Sequence, residues 1–540
     1  MNSVDLGELP DQVDVGIVGL GPVGAVLAIL CARAGLRVAI FERDREVYRL
    51  PRAVAMDHEV QRQINFLGVS EAFRAASQDS IGYEFVNAKR EIIVARYPPP
   101  VLPPTGFPWA RVFHQPSLEA ALRTQLADCE SASVSLGVTV TALAQEQDQV
   151  TLELESESGK RRSLNCSYLV GCDGGRSMVR RSINHSLSTT MEDLGFDEPW
   201  LVVDVRLADG INELSKTGVQ LCDPSRPTTS VQSGPGRHRW EFMILPGDDR
   251  EEITKPESIL SWISDWVDPA LVTLERQAVY QFDGLVAKRW RDRRVLMIGD
   301  AAHQMPPFLG QGLCAGFRDA FNLAWKLDAV VREVADERLL DTLELERRPH
   351  VIQITHDAIG LGRLVCATDE EAAAIRDQEM KAGHDQAGES LFPKPPIIEF
   401  GVLSDAMGGL VAPEPWVSGA DGDAERLDDI AGYVPILYLR DVVNLSQENR
   451  DYLKEFAEMG VVAASLNGNA DSLLVARDTD GYLTAMLEQK EALLVKPDRI
   501  VFGAGSIEGL LNLWRGYLVG RSEAWSSLNL AGTKLEADVA

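Results

Sequence analysis

At 540 residues, 45% of them hydrophobic, the chain is longer than one hydrophobic core usually organises and is expected to fold as two or three globular domains. Its 53 Lys+Arg against 81 Asp+Glu leave a formal net charge of -28, which repels phosphate backbones and anionic lipid surfaces alike. Nucleic acid and membrane are therefore not expected partners, although a small anionic substrate is still allowed because a pocket needs only one or two local donors.

The seven cysteines (Cys31, Cys129, Cys166, Cys172, Cys222, Cys314 and Cys366) form no C-x-x-C pair. Zinc spacing and dithiol redox chemistry are thus not indicated, and reduced thiols in a cytoplasmic protein are the simplest reading. The acidic stretch from Met1 to Asp14 lacks a basic flank, and Arg33 and Arg37 interrupt the apolar run from Gly24 to Phe41, so neither a signal peptide nor a membrane span is read. The eight histidines make no H-E-x-x-H motif, and no metal site is expected.

In chain order, Val13–Val18 is an apolar run, broken only by Asp14, that suits a buried parallel strand. A turn with glycines at Gly19, Gly21 and Gly24 follows, and from Pro22 to Ala34 the residues are small and apolar, with Pro22 suited to a first helical turn and Gly35 to a C-terminal cap. Leu36–Phe41 reads as a second parallel strand ending in Glu42, which lies 42 - 19 = 23 positions after Gly19. In a G-x-G-x-x-G turn the first glycine permits the tight turn, the second lets backbone approach a pyrophosphate, and the third lets helix and strand pack closely. The helix N-terminus then faces the phosphates, and an acid at Glu42 can accept from ribose hydroxyls. The pattern specifies a dinucleotide without choosing between FAD and NAD.

Farther along, Asp57 and His58 are placed on a helix. The segment Tyr97–Pro104 carries five prolines and is read as an excursion between domains. Val134–Leu154, Leu201–Val205 and Arg237–Leu245 have strand-like runs, and alternation along the last lets only one of His238 and Arg239 face a given side. Val295–Ile298 is a short apolar strand leading into Gly299-Asp300, whose carboxylate can accept from a polyhydroxyl chain. Gly310-Gln311-Gly312-Leu313 opens a long helical pattern running from Gly316 to about Asp377, whose amino end can stabilise negative charge. A second proline cluster, Phe392–Pro396, marks a linker to a small C-terminal α/β domain. Gly503-Ala504-Gly505-Ser506 lacks a third glycine at the required offset, so no second dinucleotide turn is read.

Two segments identify a family. Tyr168–Ser177, containing Asp173-Gly174 and followed by Arg180, resembles the Asp-Gly motif of the single-component (group A) flavoprotein aromatic hydroxylases. Gly299–Gly312, with Asp319–Leu327, resembles their second FAD motif. Within that family the marks Gly195–Asp204, Cys222–Pro227, Gly234–Phe242, Glu346–His350 and Val495–Arg499 are similar to the 3-(3-hydroxyphenyl)propionate / 3-hydroxycinnamate hydroxylase group.

The resemblance implies an α/β fold: a Rossmann-like FAD-binding domain of the p-hydroxybenzoate hydroxylase type over 1-80, 108-190 and 286-350, with an inserted β-sheet substrate domain over 81-107 and 191-285. A helical linker at 351-400 and a cysteine-free thioredoxin-like domain at 401-540 follow. It implies FAD as cofactor, held by Gly19, Gly21, Pro22, Gly24, Glu42, Arg43, Arg52, Gln115, Arg123, Asp173, Gly174, Asp300, Pro307, Gly310, Gly312, Leu313 and Asn322. NADH or NADPH is the implied co-substrate, meeting the same flavin because no second dinucleotide turn exists. The implied reaction uses O2 to hydroxylate a phenol ortho to its hydroxyl, taking 3-(3-hydroxyphenyl)propionate to 3-(2,3-dihydroxyphenyl)propionate in aromatic catabolism. The alternatives are another phenol, resorcinol-type or polyketide, or a flavin-binding protein without turnover. Candidate substrate or catalytic residues are the Pro307 carbonyl, His238, Arg239 and Asp57, with His303 read as structural. Base rates favour a homodimer.

Overall fold

The computed structural model describes residues 3–187, 191–387, 397–403, 407–418, 424–442, 445–466, 474–478, 480–528 and 530. Its first sheet has the strand order Arg291–Asp292, Val295–Met297, Arg161–Gly171, Gln12–Val18, Val38–Glu42, Ala132–Leu136, with the hairpin strands Val138–Gln145 and Val150–Ser156 joined through Arg161–Gly171. Gln12–Val18 lies parallel to both of its neighbours, in register Val15 to Tyr168 and Val15 to Val38. Such a central strand is covered on both faces, which is why its sequence runs apolar without alternation. Helix Pro22–Arg33 covers one face, and the long helix Gly312–Val331 packs on it so closely that a β-carbon on Gly316 would collide with Val23.

The second sheet also has eight strands: His303–Gln304, Val272–Ala287, Met191–Leu207, Arg237–Met243, Thr228–Gln232, Gly218–Cys222, Tyr83–Asn87 and Ile92–Arg96. Alternation gives it two unlike faces. Leu201, Val203, Val205, Trp240 and Phe242 pack outward against Ile253, Ile259 and Ile263 of two short helices. Trp200, Asp204, Arg239, Glu241, Arg276 and Phe282 occupy the opposite face, toward the first sheet and the helix Thr342–Val365.

The helical pattern read as continuous from Gly316 to about Asp377 is divided into Gly312–Val331, Thr342–Val365 and Glu370–Ala387. Glu333 adopts a left-handed φ of 60° at the first break, and Asp336 caps the 3-10 turn that follows through Arg338 N. Gly312–Val331 buries its face in the main core, Glu370–Ala387 places Met380 in a separate cluster, and Thr342–Val365 contributes to both through Leu343 and Val365. Pro349 sits inside Thr342–Val365.

The proline cluster Phe392–Pro396 lies outside the described residues. Beyond it, Ile436–Leu439 runs parallel to Val462–Ser465 across helix Gln447–Glu458, and Ala492–Val495 and Val501–Gly505 add antiparallel strands on the other side. Helix Ile507–Leu518 follows, capped by Ser506. Buried charges fix this layer to the rest. Arg62 bonds Asp428, which also takes Arg499, while Lys326 and Lys496 converge on Glu346 at 3.1 and 2.9 Å. No helix among the described residues is long and apolar enough to cross a membrane.

Candidate functional site

The glycine turn has the geometry its spacing implies. Gly19 has a φ of 99°, and a β-carbon there would stand 2.5 Å from Cys172 O, so turn and neighbouring strand end touch through backbone. A β-carbon on Gly24 would run into Gly19 O, whereas one on Gly21 would meet nothing within 4 Å. Gly21 thus borders open space at the amino end of helix Pro22–Arg33, which no side chain caps. Glu42 ends the second strand and accepts from Leu20 N at 2.8 Å, fixing the carboxylate beside the turn. Arg43 projects beyond it, mostly exposed.

The other motifs arrive at the same place. Asp173 accepts from Met178 N at 2.6 Å, capping the following helix, and Gly174 has a φ of 76° beside open space. Arg180 bonds Ala301 O at 2.6 Å and Gly175 O at 2.5 Å, tying the Asp-Gly segment to the Gly-Asp segment. Gly299 lies against Val23, and Asp300 pairs with Arg52 at 3.6 Å. The Gln115 amide oxygen accepts from Arg52 N at 2.8 Å and Ala53 N at 2.7 Å, so helix Gln115–Ala127 holds the Arg52 loop in place. Arg123, on the same helix, donates to Leu20 O at 3.3 Å.

Pro307 begins a 3-10 turn, and its carbonyl accepts from Gly310 N at 2.8 Å. Gly310, with a φ of 64°, packs 3.5 Å from Ala55 when given a β-carbon. Gly312 and Leu313 form the first turn of helix Gly312–Val331, which has no side-chain cap and so presents bare amides.

An extended dinucleotide fits these residues. Arg123 Nε and Asp173 Oδ1 are buried yet lack a hydrogen-bond partner among the described residues, and both border the turn. Buried orphans are uncommon, and a ligand with hydroxyl and phosphate oxygens would satisfy them. Two uncapped helix N-termini and the open cradles at Gly21 and Gly174 supply the anion-binding amides.

Several candidates belong elsewhere. Asn322 lies ten residues, about 15 Å, along the helix from Gly312. Its amide donates to Glu346 and Asp498 while its oxygen takes Lys326 Nζ, so it serves the interface with the C-terminal layer rather than a cofactor. Asp57 caps helix His58–Phe66 through Val60 N and pairs with Arg318 at 2.6 Å. Burial pushes its carboxyl up, but the charges of Arg318 and His58 prevail and hold it at about 2, leaving no base there.

His238 and Arg239 point to opposite faces, as alternation requires. His238 lies on the outer face, its ring 4.4 Å from Trp240 and bonded to Ser230 Oγ at 2.8 Å, and burial lowers it to about 3. It is turned away from the cleft. Arg239 faces the cleft but is committed there: Nε and Nη2 grip Asp204 at 2.7 and 3.1 Å, and the guanidinium also bonds the carbonyls of Pro51 and Arg52. Arg276 grips Asp204 at 3.3 Å and Pro51 O in the same way. The pair therefore anchors the Arg52 loop to the sheet. His303 is a buried structural residue, bonding Asp319 at 2.7 Å, which in turn takes Gly299 N at 3.1 Å and Arg347 at 2.8 Å.

Sequence reasoning missed the aromatic cluster beside Pro307. Phe308, next to Pro307, packs against Phe196, Trp200 and Phe282 at ring distances of 5.7, 5.8 and 6.2 Å. Glu241 and Asp204 were also passed over. The detectable clue was alternation: once Arg239 is set inward, Glu241 on the same strand and Asp204 opposite it follow.

Residues 12–358 match the family described as FAD binding domain. The chain is 36% identical over 503 residues, covering 91% of it and 92% of the relative, to a probable NADH-specific resorcinol 4-hydroxylase of Rhodococcus jostii (strain RHA1). It is 31% identical over 528 residues, 93% and 95% of the two chains, to a 3-(3-hydroxy-phenyl)propionate/3-hydroxycinnamic acid hydroxylase of Burkholderia cenocepacia (strain HI2424). Among solved structures, the flavin-dependent monooxygenase PieE, determined with FAD and substrate, superposes with a TM-score of 0.77 at 19% identity, covering 96% of this chain and all 100% of that one. Aklavinone-11 hydroxylase, determined with FAD and aklavinone, gives 0.72 at 23% identity over 94% and 100%. These likenesses establish the FAD-binding monooxygenase fold, with its mixed α/β sheets. With its motif loops gathered about one cleft, the chain belongs to the FAD-binding family of flavoprotein aromatic hydroxylases and is an FAD-dependent aromatic monooxygenase.

Proposed function

We propose that this protein uses NADH or NADPH and dioxygen to place one oxygen atom on a meta-substituted phenol, ortho to its hydroxyl. The observation that supports the reading is the meeting of the Arg52 loop with both Asp300 and the sheet residues Arg239 and Arg276, which joins the Gly-Asp segment to the second sheet. In this reading Gly19, Gly21, Pro22, Gly24, Glu42, Arg43, Arg52, Gln115, Arg123, Asp173, Gly174, Asp300, Pro307, Gly310, Gly312 and Leu313 would hold FAD. Reduced FAD supplies the oxygen-activating chemistry.

The chain's own residues do the rest. The bare amides of Gly312 and Leu313 would stabilise negative charge on a bound flavin. Phe308, Trp200 and Phe282 pack on one another as an apolar cluster beside Pro307, which would keep water from that side of the site. The Pro307 carbonyl, bonded to Gly310 N through one lone pair, offers the other to the substrate hydroxyl and draws its proton toward phenolate character.

The relatives' names support two substrates, 3-(3-hydroxyphenyl)propionate and resorcinol, each a phenol with a meta substituent. The Rhodococcus relative's name also favours NADH. The same reading divides the chain at 1-80, 108-190 and 286-350 for FAD, 81-107 and 191-285 for substrate, 351-400 for helices and 401-540 for the last domain. A strand, helix and parallel strand followed by an antiparallel pair and a helix support a thioredoxin-like fold for that domain. It carries no cysteine and so serves structure rather than dithiol exchange.

Purified protein should be yellow and oxidise NAD(P)H faster when a meta-substituted phenol is added, with oxygen consumed in step with hydroxylated product. Nicotinamide oxidation that no phenol stimulates, without product, would overturn the reading.

A further inference from the structure

Gln311 leads into the helix Gly312–Val331, and its backbone carbonyl accepts from Ala315 N at 2.8 Å. Its side-chain oxygen accepts from Arg318 Nη1 at 3.0 Å. Arg318 lies buried about two turns along the same helix and is held from two further sides, with Nε donating to Glu59 and Nη2 to Asp57, each at 2.6 Å. Two carboxylates thus set the plane of the guanidinium, and the plane sets where Nη1 can donate. A guanidinium has no acceptor, so the Gln311 atom that faces it is the amide oxygen. The amide nitrogen is left as a donor, and among the described residues it makes no hydrogen bond.

This donor sits where a ligand can reach it. Residues 307–313 are all half-buried, so the turn is open to solvent along its whole length. A β-carbon built on Gly312 would meet no atom nearer than Met305 Cγ at 3.8 Å, which leaves room before the free amides of the helix. The charge of Arg318 is itself shared between Asp57 and Glu59, and Gln311 is its link to the turn.

Resting on the reading above that Gly310, Gly312 and Leu313 hold FAD, we propose that the Gln311 side-chain amide is a further hydrogen-bond donor to the flavin, and that Arg318 is the positioning residue that fixes it as a donor. A neutral donor beside the bare amides adds to their stabilisation of negative charge on the reduced cofactor. Because Arg318 already orients it, no reorganisation is needed when that charge develops.

The test measures the midpoint potential of the flavin in the FAD-loaded protein, equilibrated with a reference dye in the absence of oxygen, together with fluorescence titration of the apoprotein with FAD. Gln311→Met keeps the length of the side chain and removes the donor. It should weaken binding of reduced FAD about tenfold and of oxidised FAD about threefold or less, so that the potential falls. Arg318→Lys keeps a charge between Asp57 and Glu59 but loses the fork that reaches Gln311, and should lower the potential by a smaller amount. A Gln311 that served only as a partner for Arg318 would lower the melting temperature on substitution and leave the potential at the parent's value, and that result would overturn the proposal. A parental potential in Arg318→Lys beside a lowered one in Gln311→Met would overturn the positioning role. The placement of the flavin fails by a separate result: parental FAD affinity in Gly312→Ala, whose added β-carbon takes up the open space without a clash.

Discussion

Alanine placed separately at Gly21 and Gly24 should divide cofactor binding from folding. At Gly24 the new β-carbon falls well inside contact distance of Gly19 O and 3.3 Å from Cys172 Cβ. Both neighbours belong to a packed strand–turn–helix junction that cannot yield, so overpacking should cost about 1–3 kcal/mol of stability in the apoprotein. Gly21 has a φ of -71° and a ψ of -178°, open to any residue, and its β-carbon meets no atom within 4 Å. The Gly21→Ala apoprotein should stay within about 1 kcal/mol of the parent, since a weaker N-cap is offset by a less flexible unfolded chain. The methyl group nevertheless occupies the gap through which a pyrophosphate reaches the helix amides. Losing one charge-assisted bond there is worth about 1.5–3 kcal/mol, or roughly 10- to 100-fold in FAD affinity. Urea denaturation of the apoproteins and flavin-fluorescence titration measure the two quantities. Parental FAD affinity in Gly21→Ala would refute the placement of the pyrophosphate, and an equal stability loss in both variants would refute the contact argument.

Asp204→Asn should destabilise the protein by about 3–5 kcal/mol, because it leaves Arg276 a buried cation without its counter-ion and Arg239 with only the more distant Glu241; an unchanged thermal midpoint would contradict this. His238→Ala should cost about 1–3 kcal/mol by stranding Ser230 and opening space beside Trp240, yet leave the KM for phenol unchanged, whereas Arg239→Ala should raise KM by loosening the Arg52 loop. Steady-state kinetics beside melting curves separates the two residues. Glu346 supplies the pH prediction. Burial pushes its carboxyl up, but Lys326, Lys496 and the Tyr517 hydroxyl outweigh burial and hold it at about 2 against 4.5 for the free side chain. A value lowered on folding gives stability that is full above about pH 4.5 and fades as pH falls through about 2, here about 3 kcal/mol. Fluorescence of the stacked Trp325–Trp514 pair, 5.9 Å apart, should follow this acid limb, and Glu346→Gln should flatten it.

The sequence by itself determined the nucleotide-binding end of the molecule. Gly19, Gly21, Gly24 and Glu42 lie within one strand–helix–strand unit, so their relation is fixed by local geometry and a short span of chain. The Asp173 and Asp300 segments were legible for a related reason: each directly follows the end of a parallel strand of the same sheet, where α/β folds gather their ligands. Asn322 misled because the family motif that implied it carries a place in the sequence but not the neighbour awaiting that side chain, and that neighbour is the C-terminal layer. Asp57 misled because a carboxylate before a helix is equally a cap, and only the approach of Arg318, 261 positions away, decided its partner.

The substrate side was decided by tertiary structure alone. Alternation stated that His238 and Arg239 diverge, but which one turns inward depends on the side from which the Arg52 loop and the first sheet approach. Glu241 and Asp204 acquire their roles the same way. Their electrostatic character is set by guanidinium groups and carbonyls from strands and loops distant in sequence, brought within about 4 Å where desolvation makes each contact count.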